Sequence, residues 1–300
     1  MQVFVTGASG FIGSAVVREL IEAGHEVVGL ARSDAAATAL VAAGVEPRRG
    51  TIDDLDTLRE AAAVADGVIH LAFDNSFSDY AGASAADLRA VETMGGALER
   101  SDKPFVVTSG TLALAFTPGL GTEDDPSDPA LPRVASEHAT VALAPLGVRA
   151  SVVRLAPCVH DETRAGLATS LIAIARDKGV SAFVGTGANR WPGVHRLDAA
   201  RLFRLALEGA PPGARLHAVG DEGVPLRDIA EAIGRGLRVP VVSITPEEAG
   251  EHFGFFSLSV PLDNPTSSAR TQQLLGWGPV NPGLLPDLEA PGHYAGAGPR

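Results

Sequence analysis

Short apolar runs alternate with amphipathic stretches along the first half of the chain. The runs Val3–Thr6, Val27–Leu30, Val68–Leu71, Phe105–Thr108 and Ser151–Leu155 are brief and mostly rich in β-branched residues, the pattern of strands buried on both faces. Between them, Phe11–Ala23, Ala35–Ala43, Leu55–Ala63, Ala86–Arg100 and Pro132–Leu146 carry helical spacing. Gly24, Gly44, Gly67 and Gly147 stand at helix ends, where a tight turn or left-handed cap is wanted. A weaker strand is predicted over Val45–Arg49. Strand–helix alternation at this spacing predicts right-handed crossovers and a doubly wound parallel α/β sheet covered on both faces.

Beyond Pro157 the pattern loosens. Helical segments are predicted near Leu167–Lys178, Asp198–Glu208, Leu226–Gly234 and Ser267–Leu275, with apolar runs at Leu216–Val219 and Val239–Ile244. The expected division is a nucleotide-binding domain over 1–157 and a smaller substrate-binding region over 158–300, some segments of which return to the first domain's flank. The tail over 291–300, rich in Gly, Ala and Pro, is expected to fray.

The turn between the first strand and the first helix reads Thr6-Gly7-Ala8-Ser9-Gly10-Phe11-Ile12-Gly13. Gly7 permits the tight turn, Gly10 leaves room for a pyrophosphate, and Gly13 lets the helix pack closely on the strand. The helix N-terminus then offers free N–H groups and a positive dipole end to phosphate. A glycine-rich turn without a ligand is the bland alternative; the strand–turn–helix context favours the phosphate site.

This Gly-x-x-Gly-x-x-Gly spacing after a threonine resembles the short-chain dehydrogenase/reductase superfamily, in particular its extended and atypical branches of the epimerase/dehydratase type. The resemblance covers most of the chain. Val68-Ile69-His70-Leu71-Ala72 resembles the strand that ends beside the adenine ribose and nicotinamide, and Val106-Val107-Thr108-Ser109-Gly110 the strand carrying a catalytic serine. Val153-Arg154-Leu155-Ala156-Pro157 resembles the strand before the carboxamide-holding loop, and Val194–Asp198 the segment before a late helix. The resemblance implies a Rossmann domain, with Gly7, Ser9, Gly10, Phe11, Ile12, Leu71, Ala72, Phe73, Thr108, Pro157 and Val159 at the cofactor. It also implies a homodimer built on helices paired across a dyad.

In this fold an acid after the second strand selects NAD, whereas an arginine accommodates the 2′-phosphate of NADP. The chain reads Gly29-Leu30-Ala31-Arg32-Ser33-Asp34, so Arg32 and Ser33 point to NADP(H). The opposing reading is a solvated arginine, with Asp34 capping the next helix. Where the family places an acid near the adenine amine, this chain has Thr51, with Asp53 or the Ile52 backbone as substitutes.

Ligands in such sheets bind beyond the carboxyl ends of the strands, which draws attention to Phe73, Ser109, Thr111, Pro157, Val159 and His160. Ser109 is expected to donate to a substrate carbonyl, against the alternative of a local backbone cap. The family's tyrosine–lysine pair is missing. The only tyrosines are Tyr80 and Tyr294, the only lysines Lys103 and Lys178, and no Tyr-x-x-x-Lys exists. In the helix that should carry the pair, Arg133 and Glu137 stand in the two positions. They form either an ordinary i, i+4 salt bridge, or a functional turn in which Glu137 touches the nicotinamide ribose and Arg133 faces the substrate. Arginine stays charged and cannot supply a proton, so Tyr80, His160, Asp161, Asp74 or water are the candidate donors. Asp198 reads as a helix N-cap, and Trp191 and His195 as candidates for the substrate side.

The remaining composition narrows the class. The net charge of −12 argues against nucleic acid, which needs a concentrated basic face. The single cysteine, Cys158, excludes an intramolecular disulfide and fits a reducing cytoplasm. No apolar run approaches the roughly 20 residues of a membrane helix, the start lacks a signal peptide's basic region, and the histidines show no metal-ligand spacing. The expected protein is an NADP(H)-dependent oxidoreductase acting on a carbonyl or alcohol of a small molecule. An epimerase or dehydratase using its cofactor transiently, or a non-catalytic NAD(P)-binding sensor, are the alternatives.

Overall fold

The computed structural model describes residues 1–74 and 79–294, so most of the tail expected to fray lies outside the described residues. Six strands alternate with five helices over the first half: β1 Gln2–Thr6, β2 Glu26–Ala31, β3 Glu46–Arg49, β4 Gly67–His70, β5 Pro104–Gly110 and β6 Arg149–Leu155, with α1 Phe11–Glu22, α2 Asp34–Ala42, α3 Leu55–Val64, α4 Tyr80–Ala97 and α5 Val134–Ala142. The later elements are β7 Cys158–His160, α6 Leu167–Lys178, β8 Ser181–Val184, β9 Arg190–His195, α7 Arg196–Gly209, β10 Ala214–Ala218, β11 Asp221–Pro225, α8 Leu226–Leu237 and β12 Val241–Ile244. Short helices α9 Ala249–Phe253, α10 Ala269–Leu275 and α11 Leu284–Leu288 follow.

Seven strands form one parallel sheet in the order β10-β6-β5-β4-β1-β2-β3, a Rossmann sheet whose order reverses between β1 and β4. Strand alternation divides its core. Val3, Val5, Ile69, Val106 and Val153 face Val16, Leu20, Phe203 and Leu207 of α1 and α7. Phe4, Val68, Phe105 and Val107 face Leu58, Met94 and Leu98 on the other side. Each of these side chains is essentially sealed from water, and each such burial is worth about 1.5–3 kcal/mol. β10 and α7 come from beyond residue 157, yet one completes the large sheet and the other packs on α1. The smaller layer consists of β11-β9-β7 and the pair β12-β8, over a second core around Leu171, Trp191, Leu226, Ile229 and Leu284.

Several local expectations are corrected. α4 begins at Tyr80, six residues before the expected Ala86, because Asp79 accepts from the Gly82 N–H at 2.9 Å and caps the first turn, Tyr80-Ala81-Gly82-Ala83. α5 is shorter than Pro132–Leu146: it ends at Ala142, and Pro145 lies in a separate 3-10 turn closed by Gly147 at φ +78°. Asp198 is not the cap of α7. His195 occupies that position, its Nδ1 accepting from the Leu197 N–H at 3.2 Å. Asp198 instead sits buried in the first turn and accepts from the Val280 and Asn281 N–H groups at 3.1 and 3.0 Å. Trp191 is wholly buried in the second core.

Candidate active site

The carboxyl end of β1 leads into a loop that leaves no room for a side chain at Gly7 or Gly13. Gly7 has φ +68°, and a Cβ there would stand 2.8 Å from the Ala72 nitrogen. A Cβ on Gly13 would lie 2.0 Å from the Gly7 oxygen. Gly10, exposed and extended, is the N-cap of α1, and among the described residues no side chain caps the N–H groups of that helix's first turn. A bare, positively polarised helix end with a glycine at its mouth fits a dinucleotide pyrophosphate. Ser9 is exposed beside it, with Phe11 and Ile12 half-buried at the helix start.

Thr6 ties this loop to β4. Its Oγ1 accepts from the Leu71 and Ala72 N–H groups, each at 3.2 Å, and lies 2.7 Å from His70 Nδ1. His70 Nε2 lies 3.1 Å from Asp87 Oδ1 on α4, and all three side chains are buried. Burial opposes the charge on Asp87, but the His70 contact and the Arg133 charge hold its carboxyl below the ordinary range. Thr108 Oγ1 donates to the His70 carbonyl at 2.8 Å, locking β5 to β4 at the site. This buried Thr6–His70–Asp87 chain escaped the sequence reading. The His within Val-Ile-His-Leu-Ala was its one visible signal.

Arg32 and Ser33 are exposed just past β2, and Arg32 has no ion-pair partner among the described residues. Ser33 caps α2 by accepting from the Ala36 N–H at 3.2 Å, which leaves its own O–H free to donate. The cap is therefore Ser33 rather than Asp34, which pairs with Arg49. Thr51 donates through its N–H and hydroxyl to Asp54 at 2.6 and 3.0 Å, Ile52 packs beside the core, and Asp53 pairs with Arg89 at 3.2 Å.

Glu137 does not pair with Arg133. It is sealed beneath β5 and β6, where its Oε1 receives Arg154 Nη2 at 2.6 Å and its two oxygens take Arg154 Nε at 3.2 Å each. Ser109 and Ser127 hydroxyls donate to its two oxygens at 2.8 Å each, and Arg215 Nε reaches it at 3.2 Å. Burial works against the carboxylate, yet Arg154 and the two serines keep it below its ordinary range. Arg154 Nη1 continues to His217 Nε2 at 3.2 Å, and His217 Nδ1 to the Ser267 carbonyl at 2.7 Å. His217 is thus held neutral, its pKa pushed down to about 4 by burial and further by the Arg154 charge, against the opposing pull of Glu123. Ser109 consequently spends its only proton on Glu137. In this arrangement the Ser109 oxygen keeps its lone pairs for accepting.

Arg133 ends up elsewhere on the same turn. Its guanidinium lies 3.9 Å from the Phe73 ring centroid, and Nη2 is 3.5 Å from the Thr108 carbonyl, at the carboxyl edge of β4 and β5. Tyr80 meets Phe73 edge-on at 5.9 Å between centroids. Beyond the end of β6, Pro157 is half-buried and Val159 is buried in the first core. His160 is bound to Asp287 at 2.6 Å and fully buried, and Asp161 is engaged by Thr163, Arg164 and Arg196. Asp161 is therefore engaged at both oxygens, whereas His160 Nε2 is buried without a hydrogen-bond partner among the described residues. Among the described residues no cluster suited to a metal ion occurs, and no helix is long and apolar enough to cross a membrane.

The comparisons with known proteins bear on the fold and the family. An uncharacterized protein of Schizosaccharomyces pombe is 49% identical over 98% of this chain and 100% of its own length. Another, of Saccharomyces cerevisiae, is 44% identical over 97% and 98%. Among solved structures, a UDP-glucose 4-epimerase of Thermotoga maritima shares the fold, with a TM-score of 0.76 at 20% identity over 98% of each chain. The profile of the NAD dependent epimerase/dehydratase family matches residues 3–217. With its Rossmann sheet and bare glycine loop, this chain belongs to the NAD dependent epimerase/dehydratase family, the extended short-chain dehydrogenases/reductases that bind NAD(P).

Proposed function

We propose that the protein is an NADP(H)-dependent oxidoreductase acting on a carbonyl or alcohol of a small organic substrate, with Arg133 holding the substrate oxygen. The observation that carries this reading is the Arg133 guanidinium, stacked on Phe73 at the strand ends and forming no ion pair among the described residues. When bound, the nicotinamide supplies or accepts the hydride. Arg133 donates to the oxygen on which negative charge gathers, an arrangement whose strength comes from a preorganised donor in a partly dry site. Ser109 Oγ, its proton committed to Glu137, accepts a hydrogen bond from a substrate hydroxyl and so orients the alcohol. Solvent supplies the proton, and Tyr80, edge-on to Phe73, is the side chain placed to relay it. Arg32 and the free Ser33 hydroxyl support binding of a 2′-phosphate.

NADPH oxidation against a panel of aldehydes and ketones tests this. Arg133→Ala is expected to lower kcat by about 10²-fold, the scale of losing one oxyanion donor, with nucleotide affinity retained. Full turnover in that variant would overturn the assignment. A second reading, a nucleotide-binding protein without redox chemistry, is favoured by the committed Ser109 proton. Tight nucleotide binding with no turnover across the panel would select it, and a substrate rearranged with its cofactor returned unchanged would mark an epimerase.

A further inference from the structure

We propose that Arg164 and Arg196 form a two-armed clamp that closes from the C-terminal region onto the pyrophosphate of the bound dinucleotide. The inference rests on the reading of the α1 N-terminus as the phosphate site. Both guanidinia flank Phe11, the first residue of α1: Arg196 lies 4.8 Å and Arg164 5.7 Å from its ring centroid. Arg196 Nη1 also donates to the Phe11 carbonyl at 3.3 Å. Two cations 150 or more residues away in sequence thus converge on the residue whose amide opens the uncapped helix.

One carboxylate organises both arms. Asp161 Oδ1 accepts from the Thr163 N–H at 2.8 Å, the Thr163 hydroxyl at 2.7 Å and the Arg164 N–H at 3.0 Å. The Asp161 N–H donates back to the Arg164 carbonyl at 2.8 Å, which closes a tight turn and fixes where the Arg164 side chain departs. Asp161 Oδ2 holds Arg196 Nε at 3.2 Å. The charges then divide unequally. Arg196 is partly neutralised by Asp161 and acts mainly as a positioned donor. Arg164 is exposed and has no carboxylate partner among the described residues, in a chain of net charge −12. An aromatic face beneath a guanidinium leaves its N–H edge free for phosphate oxygens, and a pyrophosphate's two negative charges match two such edges.

The test is calorimetric titration of NADP⁺, ADP-ribose and adenosine 2′-monophosphate into the wild type, Arg164→Ala, Arg164→Lys and Arg32→Ala, at low and high salt. Arg164→Ala should weaken NADP⁺ and ADP-ribose by roughly five- to thirtyfold, between the scales of an exposed pair and a charge-assisted bidentate one. Its affinity for adenosine 2′-monophosphate, which lacks the pyrophosphate, should stay within about twofold, and the loss should shrink at high salt. Arg164→Lys should recover part of it, because the charge survives while the fork does not. Unchanged ADP-ribose affinity in Arg164→Ala, or equal losses for all three ligands, would overturn the clamp alone. A wild type that binds none of them would overturn the phosphate reading together with the clamp.

Discussion

Removing the Glu137 carboxylate should unfold the protein more readily rather than strip it of cofactor. Glu137→Ala leaves Arg154, a fully buried guanidinium, without its counter-ion, and deprives the Ser109 and Ser127 hydroxyls of their acceptor. Leaving one partner of a buried pair uncompensated costs about 3–5 kcal/mol. For a chain of 300 residues, an unfolding entropy near 2.1 cal/mol/K per residue amounts to about 0.6 kcal/mol/K, so the melting temperature should fall by roughly 5–8 °C. Differential scanning calorimetry reads the shift. The double variant Glu137→Leu/Arg154→Met, which replaces both charges with apolar groups, should recover more than half of it. Nucleotide affinity, measured at a temperature where Glu137→Ala remains folded, should stay within about twofold. A melting point within about 1 °C of wild type, or a large loss of nucleotide affinity in a stable Glu137→Ala protein, would refute the account of this carboxylate as an internal anchor.

Three further outcomes follow from the same structure. A Cβ at Gly10 would stand 3.1 Å from the Gly7 carbonyl at the open helix end, so Gly10→Val should abolish nucleotide binding while circular dichroism remains native; normal binding would put the phosphate elsewhere. His217 titrates near 6.5 when unfolded but only near 4 in the fold. The unfolded chain therefore binds more protons between those values. The stability from burying a neutral imidazole is complete above pH 6.5 and is lost as pH falls toward 4. Between pH 7 and 5 this should remove about 2 kcal/mol of urea-measured stability, a slope that His217→Gln should flatten; an unchanged slope in the variant would contradict it. Cys158, buried with its thiol pushed up to about 12, should resist alkylation until the protein unfolds, as a thiol-reagent time course would show.

The sheet was legible because its central strands are buried on both faces and so read as continuous apolar runs. Even β3, whose Glu46-Pro47-Arg48-Arg49 is polar, falls where the alternation demands a strand at the sheet edge. The glycine loop was legible because close approach leaves glycine no substitute. The partners of the site residues were not. Glu137 meets Arg154 and Ser109 across 17 and 28 residues, and the Arg133–Glu137 spacing suggested a local pair that the burial of Glu137 overrides. The strands β7, β8, β9 and β11 are short or interrupted by prolines and glycines, and their pairing depends on contacts between segments distant in sequence. Arg164 lies in no motif, and Arg196 in one that reads only as the segment before a late helix; folding alone brings them to Phe11.

The most direct test of the central claim, an NADP(H)-selective Rossmann site beginning at Gly7 and ending at Arg32, is a side-by-side titration of NADPH and NADH into wild type and Arg32→Ala. Losing a charge-assisted arginine–phosphate contact costs about 1.5–3 kcal/mol, so wild type should prefer NADPH by one to two decades and Arg32→Ala should erase most of that preference without changing NADH affinity. Equal wild-type affinities, or a ratio untouched by the substitution, would contradict it.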